Sequence, residues 1–277
     1  MRKLLVAFGA LAAGVLAPTF SNMSWAAPTT AAVFSGRTSS RAAPRSDPAA
    51  TAQMKAALRH GGAKSSLHYV STSVGSGITT TIVGDVGKTV GTQTIYVRDK
   101  KVTATMVIRL VGHEAYFKGA AAAIYVLIGL TPAQSDAAAG RWISVVPSDS
   151  VYNSTAAALT VGSVMSEITL SPPVTRSRAV VTAGQRLLKI SGAWIGTGIT
   201  AKDHATAVLE LTRGATSLPV RFTGVVPSSA SSGTFGDNLV MSKWGEAVHV
   251  APPASSVPLA GILKATTTTT TTPPVVV

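Results

Sequence analysis

Apolar and polar residues alternate along residues 102–111. Successive side chains of a β-strand point to opposite faces of its sheet, so alternation of this kind indicates a strand with one buried face. The set predicted to be buried is Val102, Ala104, Met106, Ile108 and Leu110. This segment is therefore predicted to be a half-buried antiparallel strand.

Similar strand patterns surround this segment at short intervals. A first group is predicted at 66–74, 78–83, 89–98, 102–111 and 113–118, with glycine or Asp-Lys turns between the strands. Strands that follow one another without an intervening helix form an antiparallel sheet. A second group is predicted at 185–195, 205–212, 220–226, 239–243 and 247–250.

Helical patterns separate the two groups of strands. Residues 120–130 carry Ile124 and Leu127 on one side and Tyr125 and Val126 on the other, and a helix that is apolar all round is buried or lies against something apolar. Further helices are predicted at 53–60, at 131–140 and from Asn153 to Pro172. The order of strands, helices and strands indicates an α+β fold, in which one large sheet carries helices across one face.

The two ends of the chain differ in composition from the middle. Arg2 and Lys3 precede an apolar run and a small-residue stretch, which predicts a secretory signal peptide over 1–26, either cleaved or retained as an anchor. Residues 27–50 are rich in Pro, Ala and Arg and are interpreted as a disordered tether, and 265–277 as a disordered Thr/Pro tail. A single domain is expected over 51–264, in a protein that is exported.

Composition narrows the classes of function. The chain has 277 residues and contains no cysteine, which excludes disulfides, thiolate metal sites and a lipidated N-terminal cysteine. Its formal net charge of +13 favours contact with anionic membrane surfaces or cell-wall polyanions, and the basic tether is the segment expected to make that contact. Because the basic residues are scattered singly, nucleic acid is not an expected partner.

No motif in the chain specifies a reaction. The segment 196–201 matches the G-x-G-x-x-A fingerprint, but a turn and a strand follow it where dinucleotide binding requires a helix. His113 and Glu114 begin a zinc-protease motif, but Phe117 stands where the second histidine is required. Asp203 and His204 could belong to a catalytic triad only if the fold happened to place a serine beside them. We therefore predict no catalytic residue, no metal site and no cofactor.

Three short motifs resemble those of a known family. They are SLHYV at 66–70, RWISV at 141–145 and SKWGE at 242–246, together with the exported leader. In these features residues 50–260 resemble the LppX/LprG group of actinobacterial lipoproteins and the wider LolA/LolB-like carriers. The resemblance implies a strongly curved antiparallel half-barrel with helices across its concave face, and non-catalytic binding of acylated lipids in a cavity between them. The lipobox cysteine of the lipid-anchored members is missing here.

Two functions follow, and the sequence leaves both open. The first is a monomeric exported carrier of lipids or other acylated amphiphiles, and small residues at Ala104, Ala205 and Ala207 favour open space for such a ligand. Its cavity wall is predicted to consist of Met106, Ile108, Leu110, Ile124, Leu127, Leu188 and Leu209. The second is a structural or adhesive protein of the cell envelope, in which the helices fill the concavity and no ligand binds.

Overall fold

A computed structural model of the chain describes residues 46–75, 77–99, 103–177, 180–182, 184–195, 199, 203–227 and 235–267. The predicted signal peptide, most of the predicted tether and most of the predicted tail lie outside the described residues. So does the glycine-rich segment 196–201, apart from Ile199.

Thirteen strands form one sheet in the described part of the chain. All paired neighbours are antiparallel except β13 and β6, which are parallel. The strands are β1 (Ser66–Gly75), β2 (Ile78–Gly87), β3 (Val90–Arg98), β4 (Thr103–Val111), β5 (Glu114–Gly119), β6 (Ile143–Val145), β7 (Leu170–Arg176), β8 (Val180–Thr182), β9 (Gln185–Trp194), β10 (Thr206–Leu211), β11 (Pro219–Val226), β12 (Phe235–Ser242) and β13 (Val257–Pro258). Their spatial order is β13-β6-β5-β4-β3-β2-β1-β12-β11-β10-β9-β7, and β8 pairs with β9.

The predicted meander of β1 to β5 is confirmed, and the sheet does not close into a barrel because β13 and β7 end it on opposite sides. The alternation along β4 also has the predicted sense. Ala104, Met106, Ile108 and Leu110 are all buried, and Val102 lies outside the described residues. We call the face to which they point the concave face and the opposite face the convex face.

Six helices accompany the sheet in the described residues. They are α1 (Pro48–Ala63), α2 (Ala121–Ile128), α3 (Pro132–Ala138), α4 (Tyr152–Ala156), α5 (Val161–Glu167) and α6 (Leu259–Thr267). The Asp47 carboxylate accepts hydrogen bonds from the amides of Ala49 and Ala50 at 2.9 and 3.2 Å, so α1 begins before the predicted residue 53. The predicted capping box of Thr131 and Gln134 begins α3.

The predicted single helix from Asn153 to Pro172 is wrong, because α4 and α5 are separated by residues 157–160. Ala158 adopts a left-handed conformation (φ 56°) in this linker, which crosses the concave face. Pro172 and Pro173 do not end the helix but lie in β7. Proline is tolerated there because β7 is an edge strand and its register with β9 shifts between Ser171 and Thr175.

Two elements near the C-terminus also differ from expectation. Residues 247–250 were predicted to be a strand, but residues 243–256 form an irregular strap across the convex face. The amide of Gly245 donates to the carbonyl of Ser66 at 3.0 Å, and Arg109 Nη1 donates to the carbonyl of Ala251 at 3.2 Å. These bonds satisfy backbone groups that a strand would pair with a neighbouring strand. The helix α6 that follows was not predicted, and its Leu259 and Ile262 join the core.

The linker is held to the middle of the sheet by Tyr69. Its hydroxyl donates to Gln93 Oε1 at 2.7 Å and lies 3.2 Å from the carbonyl oxygen of Ala158. Burial, together with the charge of Asp85, raises the pKa of Tyr69 far above its ordinary value, so the hydroxyl stays a donor. A β-carbon at Gly91 would lie 2.3 Å from the carbonyl oxygen of Leu159, so only glycine lets the linker approach β3 this closely.

Gly91→Ala is therefore expected to lower the free energy of unfolding by about 1–3 kcal/mol, because the linker backbone must shift. Gly236→Ala is the matched control, since a β-carbon there meets nothing within 4 Å. Its effect is expected to stay within about 0.5 kcal/mol. Urea unfolding of both variants measures the difference, and equal stabilities would contradict the packing of the linker on β3.

Candidate functional site

The helices cover the two flanks of the concave face. On one flank α2 and α4 pack against β4 and β5, and α6 packs against β6. On the other flank α1 packs against β7 and β11, and α5 packs against α1. The linker between α4 and α5 crosses the central strands, where the backbone at Thr160 bridges to Gly87. The concave face is thus covered by short helical segments and a crossing linker.

The predicted cavity wall divides between these flanks. Met106, Ile108 and Leu110 on β4 lie on the flank that α2 covers with Ile124 and Leu127. Leu209 on β10 and Leu188 on β9 lie on the other flank. All belong to one continuous buried cluster except Leu188, which is partly buried and packs against it.

Four of these side chains have no accessible surface. Met106, Ile108, Ile124 and Leu209 are each 0% exposed, so no space large enough for a water molecule adjoins them. Ala104, Ala205 and Ala207, which were expected to leave open space, are also buried. Around Met106, Ile108, Ile124 and Leu209 the interior is filled in this structure, and an acyl chain would have to displace side chains that are now in contact.

A polar cluster lies on the central strands of the same face. The register pairs Ser73 of β1 with Asp237 of β12. One carboxylate oxygen of Asp237, Oδ1, accepts hydrogen bonds from the hydroxyls of Ser71 and Ser73, both at 2.9 Å. The other oxygen, Oδ2, is buried and has no hydrogen-bond partner. Asp237 is 2% exposed, so this orphan acceptor lies in the interior of the protein.

The environment of Asp237 disfavours its charged form. Burial raises the pKa of Asp237 to about 6. Hydrogen bonds from the Ser71 and Ser73 hydroxyls and from the Asn238 backbone lower the pKa, but burial has the larger effect. The charge of Glu167, a buried residue that ends α5, raises the pKa further. With a pKa of about 6 the carboxyl is ionised near neutral pH, so a buried negative charge lies beside two serine hydroxyls and a second acid.

Asp237 lies close to one edge of the concave face, which we call the rim. The rim is where β1, β3 and β11 end and where β2, β4 and β12 begin. Phe235 precedes Asp237 on the same face and is only partly buried, as are Val226, Val97 and Thr80 on neighbouring strands. Asp237 therefore lies two residues further along β12 from the rim than the partly exposed Phe235.

Sequence reasoning missed this cluster. The predicted strand begins at residue 239 and therefore does not include Asp237. A signal was present, because Asp237 continues the alternation of Leu239 and Met241 toward the start of β12. Its burial against Ser73 could not be foreseen, since the two residues are 164 positions apart.

In the part of the chain that the structure describes, two cavities adjoin the buried cluster. One of about 280 Å³ lies on the convex side between the strap and β1–β3, and His68, Asp85, Lys243, Glu246 and His249 line part of it. His68 Nδ1 lies 2.8 Å from Asp85 Oδ1 in its wall. The other, of about 350 Å³, is lined by residues of α1, Leu188 and the turn at 212–217. Among the predicted wall residues, Leu188 lines this second cavity.

Metal sites and membrane-spanning helices are both missing from the described ranges. No group of three or more His, Asp or Glu residues there is arranged to hold a metal ion. No helix in those ranges combines the length and apolarity that crossing a membrane requires.

Comparison with known proteins shows a likeness of fold. LprF from Mycobacterium bovis matches at 14% identity and a TM-score of 0.50, over 76% of this chain and 100% of that chain. Lipoprotein LppX from Mycobacterium tuberculosis matches at 18% identity and a TM-score of 0.45, over 74% of this chain and 100% of that one. No protein-family model matches the chain, and no curated protein matches it. The likeness to LprF confirms the predicted α+β fold with a curved, unclosed sheet.

Asp237→Asn is expected to change how stability depends on pH. A carboxyl whose pKa rises on folding contributes stability below its unfolded value, near 3.8, and loses it as the pH rises through about 6. Relative to the variant, the wild-type protein should therefore lose about 2–3 kcal/mol of unfolding free energy between about pH 3.5 and about pH 7. Urea unfolding across this range measures the effect. A difference that does not vary with pH would contradict the buried, unpaired state of Asp237.

Proposed function

We propose that this chain is an exported, non-catalytic carrier that binds a lipid or another acylated amphiphile against the concave face of its sheet. The observation that carries the proposal is a single apolar interior enclosed between an unclosed sheet and short helices, in a fold shared with LprF. The proposed contacts of the alkyl chain are Met106, Ile108, Leu110, Ile124, Leu127, Leu188 and Leu209. Burial of each methylene group contributes about 0.8 kcal/mol, so a long chain needs no charged contact to bind.

Helix α2 is the proposed movable cover of this interior. It has no side-chain hydrogen bond at its N-cap and ends at Gly129, which has a φ of 80°. Ile124 and Leu127 pack inward, while Tyr125 and Val126 are each 40% exposed on the outer side. Apolar contacts are non-directional, so an alkyl chain can replace the contacts that Ile124 and Leu127 make inside the protein.

Export and surface contact complete the proposal. The charge of +13 favours an anionic membrane or cell-wall surface, with the basic segment at 27–50 making the contact. The carrier acts as a monomer, since the proposed ligand contacts all lie within one chain.

A filled core supports a second candidate, a structural or adhesive protein of the cell envelope without a ligand. The observation in its favour is the absence of accessible surface at Met106, Ile108 and Leu209. The two candidates differ in whether α2 can leave the sheet while the rest of the chain stays folded.

Protein isolated gently from its own producer is expected to carry a lipid at one copy per chain. A bound ligand on the apolar face survives purification because its dissociation exposes both the alkyl chain and the face to water. Native mass spectrometry before and after organic extraction measures the added mass. A bare polypeptide mass in repeated preparations would contradict the carrier.

Ala104→Phe is expected to weaken binding of an alkanol with a terminal pyrene by about tenfold or more, because the ring occupies space at the rim. Ala104 points inward at this border, whereas the neighbouring Thr105 is exposed on the convex face. Thr105→Phe is therefore the matched control and should bind the probe like the wild-type protein. Pyrene fluorescence measures the affinity, and circular dichroism measures the fold. Equal binding by both variants would contradict the proposed site, and unfolding of Ala104→Phe alone would favour the filled core.

A further inference from the structure

Both side-chain hydrogen bonds of Asp237 use the same carboxylate oxygen. Oδ1 accepts from two serine hydroxyls, which already join β12 to β1. Oδ2 is nevertheless buried without a hydrogen-bond partner, which destabilises a polar group and destabilises a charged one more. No Lys, Arg or His among the described residues lies within ion-pair distance of Asp237.

The surroundings of Oδ2 define what can bind there. A second acid, Glu167, acts on Asp237 from the end of α5 and raises its pKa, so the site disfavours a further negative charge. Both serine hydroxyls already donate to Oδ1, so the group still missing is a donor. A ligand with a hydroxyl or an ammonium group supplies one, whereas a carboxylate or a phosphate diester does not.

Apolar side chains adjoin the same cluster. In the register, Ser71 lies between Ile82 of β2 and Leu239 of β12, and both are buried on the concave face. On the other side of Asp237, toward the rim, Phe235 is partly exposed. A polar group at Asp237 would thus sit just inside the border, with its alkyl chain directed along the apolar residues below it.

We infer that Asp237, with Ser71 and Ser73, binds the hydrogen-bond-donating head of the carried amphiphile, a hydroxyl or an ammonium group, through its unpartnered Oδ2. The inference rests on the proposed function and names the class of ligand that the carrier selects. It takes long-chain alcohols and amines, and more complex lipids that present such a donor beside the alkyl chain, in preference to fatty acids.

Competition on the full chain after removal of lipid tests this selectivity. The pyrene-labelled alkanol is the bound probe, and hexadecanol, hexadecylamine, hexadecyl methyl ether and palmitate are the competitors, all with the same chain length. The ether retains the oxygen of hexadecanol but lacks its donor. A hydrogen bond to a charged acceptor corresponds to about a tenfold change in affinity or more. The alcohol and the amine should therefore displace the probe at concentrations about tenfold lower than the ether or palmitate.

Variants assign the selectivity to Asp237. Asp237→Asn keeps the shape of the acceptor and removes its charge, so the advantage of the amine over the ether should fall by about tenfold. Glu210→Gln is the matched control. Glu210 is a buried acid that points to the convex face, bonds Lys189 at 3.0 Å and also leaves one oxygen unpartnered. Its variant should keep the selectivity of the wild-type protein.

The possible failures are distinguishable. If the ether and the alcohol displace the probe from the wild-type protein equally well, the inference is overturned, but the proposed carrier function is not. Loss of selectivity in Glu210→Gln as well as in Asp237→Asn would also overturn it. If neither the probe nor any competitor binds, the proposed function fails, and the inference fails with it. Should Asp237→Asn not fold, the wild-type comparison of alcohol and ether decides the question alone.

Discussion

The need to cover one apolar face of an unclosed sheet governs this structure. A sheet that ends at β13 and β7 cannot bury its concave face against itself, so other segments must exclude water from it. Short helices cover the flanks, and the linker between α4 and α5 crosses the centre, where Tyr69 donates to Gln93 and lies near the carbonyl of Ala158. Glycine at position 91 makes that approach possible. The cover therefore consists of several separate pieces, and the pieces differ in how they are held.

The difference in how the covering segments are held relates the fold to the proposed carrier function. The linker is held by directional hydrogen bonds, whereas α2 contacts the sheet through Ile124 and Leu127 and has no side-chain cap. A ligand that replaces Ile124 and Leu127 exchanges apolar contacts for apolar contacts, while displacement of the linker would leave buried polar groups unpaired. Asp237 adds a polar contact near the rim, where a buried carboxylate retains a free acceptor. A ligand that enters at the rim would find an apolar wall and one specific acceptor.

Local patterns predicted much of the fold, and long-range contacts determined the remainder. The meander of β1 to β5 followed from alternation within each strand, because a half-buried strand needs that pattern wherever it lies. The break between α4 and α5 did not follow, since it depends on Tyr69 and Gly91, which are distant in sequence. The strap and α6 are likewise positioned by tertiary contacts. Asp237 was missed because its partner Ser73 is 164 residues away. The predicted wall residues were placed on the concave face, but periodicity does not show whether the space beside them is filled.

A crystal structure with a long-chain alkanol that carries bromine at its methyl end would test the carrier most directly. The anomalous signal of bromine locates the end of the chain independently of any fitted conformation. A carrier predicts one bromine site between the sheet and α2, with α2 displaced and the alcohol oxygen within hydrogen-bond distance of Asp237 Oδ2. Bromine on the convex face, or an unchanged and fully packed interior in crystals grown with excess ligand, would contradict it.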